Sequence, residues 1–324
     1  MVTRALILLC ICIVQIAFWP ALAADCPPCE GKKIRVLLGS PAGSQIDVGA
    51  RALASALSNQ LGLGVSVENQ VGANGGIAAN TARNAPINGE VLFLANASSS
   101  LTADLVLSNV RPASDGLKAI SVIGAFPLAL VVSTSSSAKS MSDLITAGKG
   151  ASGKITYGAP TASIYHLASE LLGQRSSTGF SLVPYKSVGT AATDLFAGQL
   201  GFMFMPLAQA IEYHRQGKLR VLATGGKLRS RALPEIATIE KLGMKGFEAV
   251  EKWIVYLPSG ASEDTARQWN AQLSRAVRSA EFLGAVRESG FESVEGTVSE
   301  IAASLLVDRE RWASVIRQAR VRAD

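Results

Sequence analysis

A short β-branched run, a turn built from Gly, Ser, Asn or Pro, then an amphipathic stretch: this unit recurs along most of the 324 residues. Ile34 to Leu38 leads through Gly-Ser-Pro-Ala-Gly into a helix whose apolar face reads Val48, Leu53, Leu57 and Leu61 and which stops near Gly62. Val65 and Val67 alternate as a second strand, followed by Gly72-Ala73-Asn74-Gly75-Gly76 and an Ala-rich helix. Val91 to Leu94 gives a third strand, ending in Asn96-Ala97-Ser98-Ser99-Ser100. Helices set between strands cover both faces of a largely parallel sheet, so the pattern predicts an α/β fold. In such sheets ligands sit beyond the carboxyl ends of the strands, where loops meet helix N-termini. Those are the positions that hold the small polar residues here.

The middle of the chain repeats the unit. Ser140 reads as the N-cap of a helix through Leu144, Ile155 to Tyr157 as a strand, and Ser163 to Leu172 as a helix. Leu182-Val183 runs into Lys186-Ser187-Val188-Gly189-Thr190 and another helix; Phe202 to Phe204 and Leu219 to Ala223 are further strands. Ala119 to Val132 is apolar but interrupted by Ser121, Gly124 and Pro127, and reads as two buried strands. After Trp253 to Leu257 the pattern turns helical, ending with Ile301, Leu305, Trp312 and Ile316 on one stripe. Without a low-complexity linker, two lobes joined by crossing strands suit this chain better than domains in series.

The first 23 residues have the layout of a cleaved secretory signal: Arg4, an apolar run from Ala5 to Phe18, Pro20, then Ala21-Leu22-Ala23. An uncleaved anchor is the alternative, but the run is short for a membrane span. The protein is therefore expected to be exported to the periplasm and soluble. Cys10 and Cys12 leave with the signal, whereas Cys26 and Cys29 remain on a Pro-rich tail. That context favours a small local disulfide or an incidental pair over a redox centre.

With 48% apolar and 17% charged residues, the composition is that of a globular protein. The net charge of +6 is scattered and lacks interleaved aromatics, so no nucleic-acid partner is expected. His166 and His214, the only histidines, have no companion ligands at metal spacing. The Gly72 loop fails the dinucleotide pattern, with Asn74 where the second glycine belongs, and no nucleophile elbow or P-loop is present. These absences predict a non-enzymatic protein without cofactor or metal.

Three loops read as binding elements. Pro41-Ala42-Gly43-Ser44-Gln45-Ile46-Asp47 offers backbone N–H groups and a helix end to an anion; it reads equally as an ordinary turn with Asp47 as N-cap. In the Gly72 to Gly76 loop the glycines by themselves read first as suppliers of positive φ. The opposing set is Thr161-Ala162-Ser163 with His166, and Lys186 to Thr190. His166 is weighed evenly between a cleft position and a packed one, and Trp253 and Tyr256 are assigned to the core.

At this point the chain resembles a family, the extracytoplasmic receptors of tripartite tricarboxylate transporters, or Bug-type solute receptors. The resemblance rests on Pro41-x-Gly43-x-x-x-Asp47-x-x-Ala50-Arg51 and Val67-Glu68-Asn69-x-x-Gly72-Ala73-x-Gly75-Gly76. It continues through His166-Leu167-Ala168-x-Glu170-Leu171, Val183-Pro184-Tyr185-Lys186, Asp194-Leu195-x-x-Gly198-Gln199 and Leu233-Pro234-Glu235-Ile236-Ala237-Thr238. It implies a type II periplasmic-binding-protein fold of two α/β lobes with a ligand cleft between them: 24–126 and 251–324 in lobe one, 127–250 in lobe two. It also implies a monomeric receptor that closes on a small carboxylate and hands it to membrane permease subunits or, alternatively, to a sensor kinase. The expected ligand contacts are Ala42, Gly43, Ser44, Gln45, Asp47, Gly72, Ala73, Asn74, Asn96, Ser98, Thr161, Ala162, Ser163, His166, Lys186, Ser187, Gly189, Thr190 and Met205. Ala42, Ser44 and Gln45 depart from the family's usual Pro, Gly and Gly, and Met205 replaces a polar residue, which leaves the ligand class open.

Overall fold

In the computed structural model, which describes residues 33–106, 111–150, 155–287 and 290–321, two groups of strands are joined by one long strand that runs through both. The signal segment and the Cys26–Cys29 pair lie outside the described residues. The first unit is β1 (Ile34–Leu38), α1 (Gln45–Leu61), β2 (Val65–Asn69), α2 (Gly76–Arg83), β3 (Val91–Asn96) and the short α3 (Ala103–Val106). β1 lies between β2 and β3, parallel to both. Successive β1 residues enter opposite cores: Val36 and Leu38 pack under α1, Leu37 against α2. Each such fully buried aliphatic side chain stabilises the fold by about 1.5–3 kcal/mol.

β4 (Leu117–Ser133) corrects the expectation of two strands, being one strand of 17 residues that serves two sheets. Its first part pairs antiparallel with β9 (Val250–Pro258), from Leu117 opposite Pro258 to Pro127 opposite Val250, with register shifts on either side of Ser121 and Val122. At Leu128 the partners change. The next helices and strands are α4 (Met141–Gly150), β5 (Ile155–Pro160), α5 (Ile164–Ser176), β6 (Phe180–Tyr185), α6 (Val188–Phe196), β7 (Met203–Pro206), α7 (Leu207–Arg215) and β8 (Leu219–Thr224). From Leu128 on, β4 pairs with β7 and β8, both antiparallel. β5 runs parallel to β6 and, through Tyr157, bridges to Phe202, the residue just before β7. Pro184 is tolerated in β6 because this strand is paired on one side only among the described residues.

These registers fix which loops face one another. β9 starts at the crossing and sets Trp253 opposite Asn96, so the carboxyl ends of β1, β2 and β3 point toward it. Pro206 lies opposite Leu128 and Thr224 opposite Ala129, so the carboxyl ends in the second sheet point to the same place from the other side. Two sets of strand ends therefore oppose each other across the crossing, the layout of a two-lobed α/β binding protein.

The C-terminal region divides between the lobes instead of staying with the first. α8 (Glu263–Ala276) and α9 (Ala280–Ala285) pack on α1. α10 (Val298–Ala319) begins with a capping box from Thr297 and Glu300 and puts Ile301 and Leu305 into the first lobe's core. Its later turns place Trp312, Val315 and Ile316 among core residues of the second. Trp253 and Tyr256 are core residues, each 2% exposed. Val48, by contrast, is exposed; the buried face of α1 is Ile46, Ala50, Leu53 and Leu57.

Candidate ligand site

One turn occurs twice, once on each side of the crossing. After β1 the chain reads Pro41-Ala42-Gly43-Ser44, and after β5, Pro160-Thr161-Ala162-Ser163. In both, the serine holds the N-cap position and donates its hydroxyl to the proline carbonyl, at 2.7 Å from Ser44 and 2.6 Å from Ser163. In both, the residue before the serine is left-handed, Gly43 at φ +79° and Ala162 at +64°. Three residues after each serine, a buried side chain accepts the N–H of that left-handed residue. Asp47 Oδ2 takes it from Gly43 at 2.9 Å, and His166 Nδ1 takes it from Ala162 at 3.2 Å. The first N–H groups of α1 and α5 have no intrahelical acceptor, and the positive helix ends carry them toward the crossing.

Asp47 and His166 thus shape the loops from below. Asp47 is not the N-cap, a place held by Ser44. Its carboxylate also accepts a bidentate pair from Arg51, at 3.0 and 3.1 Å, and the Asn69 amide at 2.9 Å. Burial alone would raise its pKa, but the Arg51 guanidinium and the Gly43 and Asn69 donors hold it below the usual carboxylate range. Both of its oxygens are engaged by the protein itself, and the residue is 2% exposed. His166, 5% exposed, is the packed alternative of the two weighed for it. Burial lowers its pKa to about 4, so the ring is neutral and Nδ1 is free to accept. Replacing His166 with alanine is expected to cost about 1–2 kcal/mol through the orphaned Ala162 N–H. The loss should be equal at pH 7 and 8 in urea unfolding. It should shrink as pH falls below about 6.5, where only the unfolded chain takes up the proton.

The first lobe's three loops touch. A Cβ on Gly39 would lie 2.3 Å from Gly75 Cα, and one on Gly75 would meet the Ser99 hydroxyl at 3.8 Å. Ala73 and Asn74 are left-handed and exposed at the tip, and Gly72 lies at φ +140°. Asn96 pairs with Trp253, and its carbonyl accepts the hydroxyls of Ser99 and Ser100 at 3.0 and 2.9 Å. Ser98 turns to an acid that the sequence reading did not select: its hydroxyl donates to Glu251 Oε2 at 2.9 Å and its N–H to Oε1 at 3.4 Å.

Across the crossing, Ser187 caps α6 by accepting the Thr190 N–H at 3.2 Å, while Lys186, Gly189 and Thr190 are exposed. Ala42, Gly43 and Gln45 on the first side and Thr161 on the second are exposed as well. Met205 departs from the expectation of a ligand contact. It is fully buried and packs with Ala129, Val131 and Leu195 on one face of β7, while Phe204 fills a core on the other.

Opposed loops of this kind on this fold define a class, the two-lobed solute-binding receptors, and the relatives narrow it. The family model described as the tripartite tricarboxylate transporter family receptor matches residues 49–321, and the chain belongs to that family, one of solute-binding receptors and not of enzymes. Protein BugT of Bordetella pertussis is 28% identical over 319 residues, covering 98% of this chain and 97% of its own. An R. palustris protein solved with adipate shares the fold with a TM-score of 0.76 at 23% identity, covering 90% of this chain and 99% of its own. MatC of Rhodopseudomonas palustris, solved with malate, does so with a TM-score of 0.71 at 20% identity, covering 88% and 98%. Among the described residues no helix is long and apolar enough to cross a membrane.

Proposed function

We propose that this protein captures a small carboxylate between its lobes in the periplasm and delivers it to the permease subunits of a tripartite transporter. The mirrored Pro-x-small-Ser turns carry this reading. Each presents a helix N-terminus to the crossing, and the N–H of its left-handed residue is taken from below by Asp47 or His166, while no carboxylate caps either helix. An exposed helix end favours a negative charge by about 0.3–1 kcal/mol. Two such ends brought together by closure, with water expelled, hold it more strongly. Residues 33–126 and 127–250 supply the facing loops, with Pro127–Leu128 and Val250 as the points about which the lobes swing. Malate and adipate in the two R. palustris proteins give the size range.

The test is thermal unfolding of refolded, ligand-free protein against acetate, malate, adipate, glutamate and citrate. A matching acid should raise Tm in a concentration-dependent way, by the equivalent of about 2.7 kcal/mol at one hundred times Kd. Ser163→Trp, which puts an indole at the second lobe's loop, should abolish that rise. No shift with any of these acids would sink the reading.

A further inference from the structure

Glu251 lies where the ligand reading needs donors, yet it is itself an acid. It is the second residue of β9, opposite Phe126 in β4, at the point where the chain passes between lobes. Its carboxylate accepts the Ser98 hydroxyl at 2.9 Å and the Ser98 N–H at 3.4 Å, with the Ala97 and Lys252 N–H groups as further donors. These groups sit at the carboxyl end of β3, beside the loop pair Gly39–Gly75. From the other lobe the Tyr165 hydroxyl, on the first turn of α5, lies within electrostatic reach of Glu251. The acid therefore sits between a loop of the first lobe and the helix that follows the mirrored turn in the second.

Resting on the carboxylate reading above, we propose that Glu251 is a ligand-facing specificity residue that must be protonated when the cleft holds an anion, so that capture takes up a proton. Two carboxylates sharing one low-dielectric site cannot both stay ionised. The proton that Glu251 takes up comes from solvent, and the neutral carboxyl can then donate a hydrogen bond to the incoming carboxylate.

The surroundings favour the neutral form. Burial pushes the Glu251 pKa up to about 7, against the opposing pull of the Ser98, Ala97 and Lys252 donors. Four groups surround it. Ser98 is neutral. Tyr165 is held protonated by burial and by Glu251 itself. Lys252, next in β9, gives Glu251 only its backbone N–H, while its ammonium pairs with Asp308 of α10 at 2.5 Å. His166, on α5 one residue beyond Tyr165, is already neutral in this range.

The experiment takes whichever of acetate, malate, adipate, glutamate and citrate raises Tm most at pH 6.5. Its Kd is measured by calorimetry at pH 6.5 and 8.5 on wild-type protein and on Glu251→Gln. Wild type should bind more than about tenfold more weakly at pH 8.5, because one proton per ligand costs tenfold per pH unit above the pKa of the free group. Glu251→Gln, a permanent mimic of the neutral acid, should hold its affinity within about twofold across that range. Wild-type titrations at pH 8 in phosphate and in Tris should report close to one proton taken up. Equal wild-type affinities at both pH values, no proton uptake, or an unchanged pH slope in the variant would overturn the role of Glu251 while leaving carboxylate capture standing. No binding by any acid at either pH would remove both.

Discussion

Replacing Gly39 with alanine is expected to destabilise the protein by about 3 kcal/mol or more and to abolish its response to ligand. The φ of Gly39 lies outside the left-handed region, so the effect is purely steric. The new Cβ would stand 2.3 Å from Gly75 Cα and 3.3 Å from the Gly75 carbonyl carbon and oxygen. Backbone meets backbone there, and no side chain can rotate out of the way. Either the β1 loop or the β2 loop must move, and the β2 loop is held in place by the Gly75 N–H on the Gly72 carbonyl at 2.9 Å. Gly62→Ala is the matched control. Gly62 ends α1 at φ +67° with nothing within 4 Å of the added Cβ, so its cost is backbone strain of about 1 kcal/mol. Urea unfolding of the two variants, with ligand thermal shifts alongside, separates them. Equal costs, or an intact ligand response in Gly39→Ala, would show that the loops do not need to touch.

Glu251→Gln should make the protein more stable at alkaline pH and leave it nearly unchanged at pH 4.5. The folded-state pKa of Glu251 is raised from 4.5 to about 7 by burial. Between those values the native protein keeps a proton that the unfolded chain has released, so stability is full below about 4.5 and declines as pH rises. Above about 7 the loss is complete, with a ceiling of about 3 kcal/mol. The amide removes the titration while keeping an oxygen to accept the Ser98 hydroxyl. Denaturant unfolding of both proteins from pH 5 to 8.5 should give curves that diverge upward in pH, with the variant the more stable. Parallel curves would mean that Glu251 titrates normally and has solvent on it.

How much of this was legible before the fold was known differs by element. β1 to α2 followed from period and punctuation, since Gly62 closes α1 in the left-handed conformation as its position after the helical stripe implied. The mirrored turns were written in the chain as Pro41-x-x-Ser44 and Pro160-x-x-Ser163. They escaped notice as a pair because Asp47 and His166 have no chemistry in common. Only the coordinates show both accepting the N–H of the residue before the cap. Met205 illustrates a different limit. Phe204 and Met205 are both apolar, so period-2 alternation could not say which face of β7 was which, and pairing with Ala129 of β4 decided it.

By itself the sequence determined the alternation of strands and helices, the small-residue loops at strand ends and membership of a receptor family, because these depend on local spacing within a few residues. The tertiary structure alone decided that β4 serves both lobes, that α10 anchors in both cores, and that Glu251 meets Ser98 across 153 positions of chain. Such contacts are set by strand register and packing, which bring together residues whose neighbours in sequence carry no trace of each other.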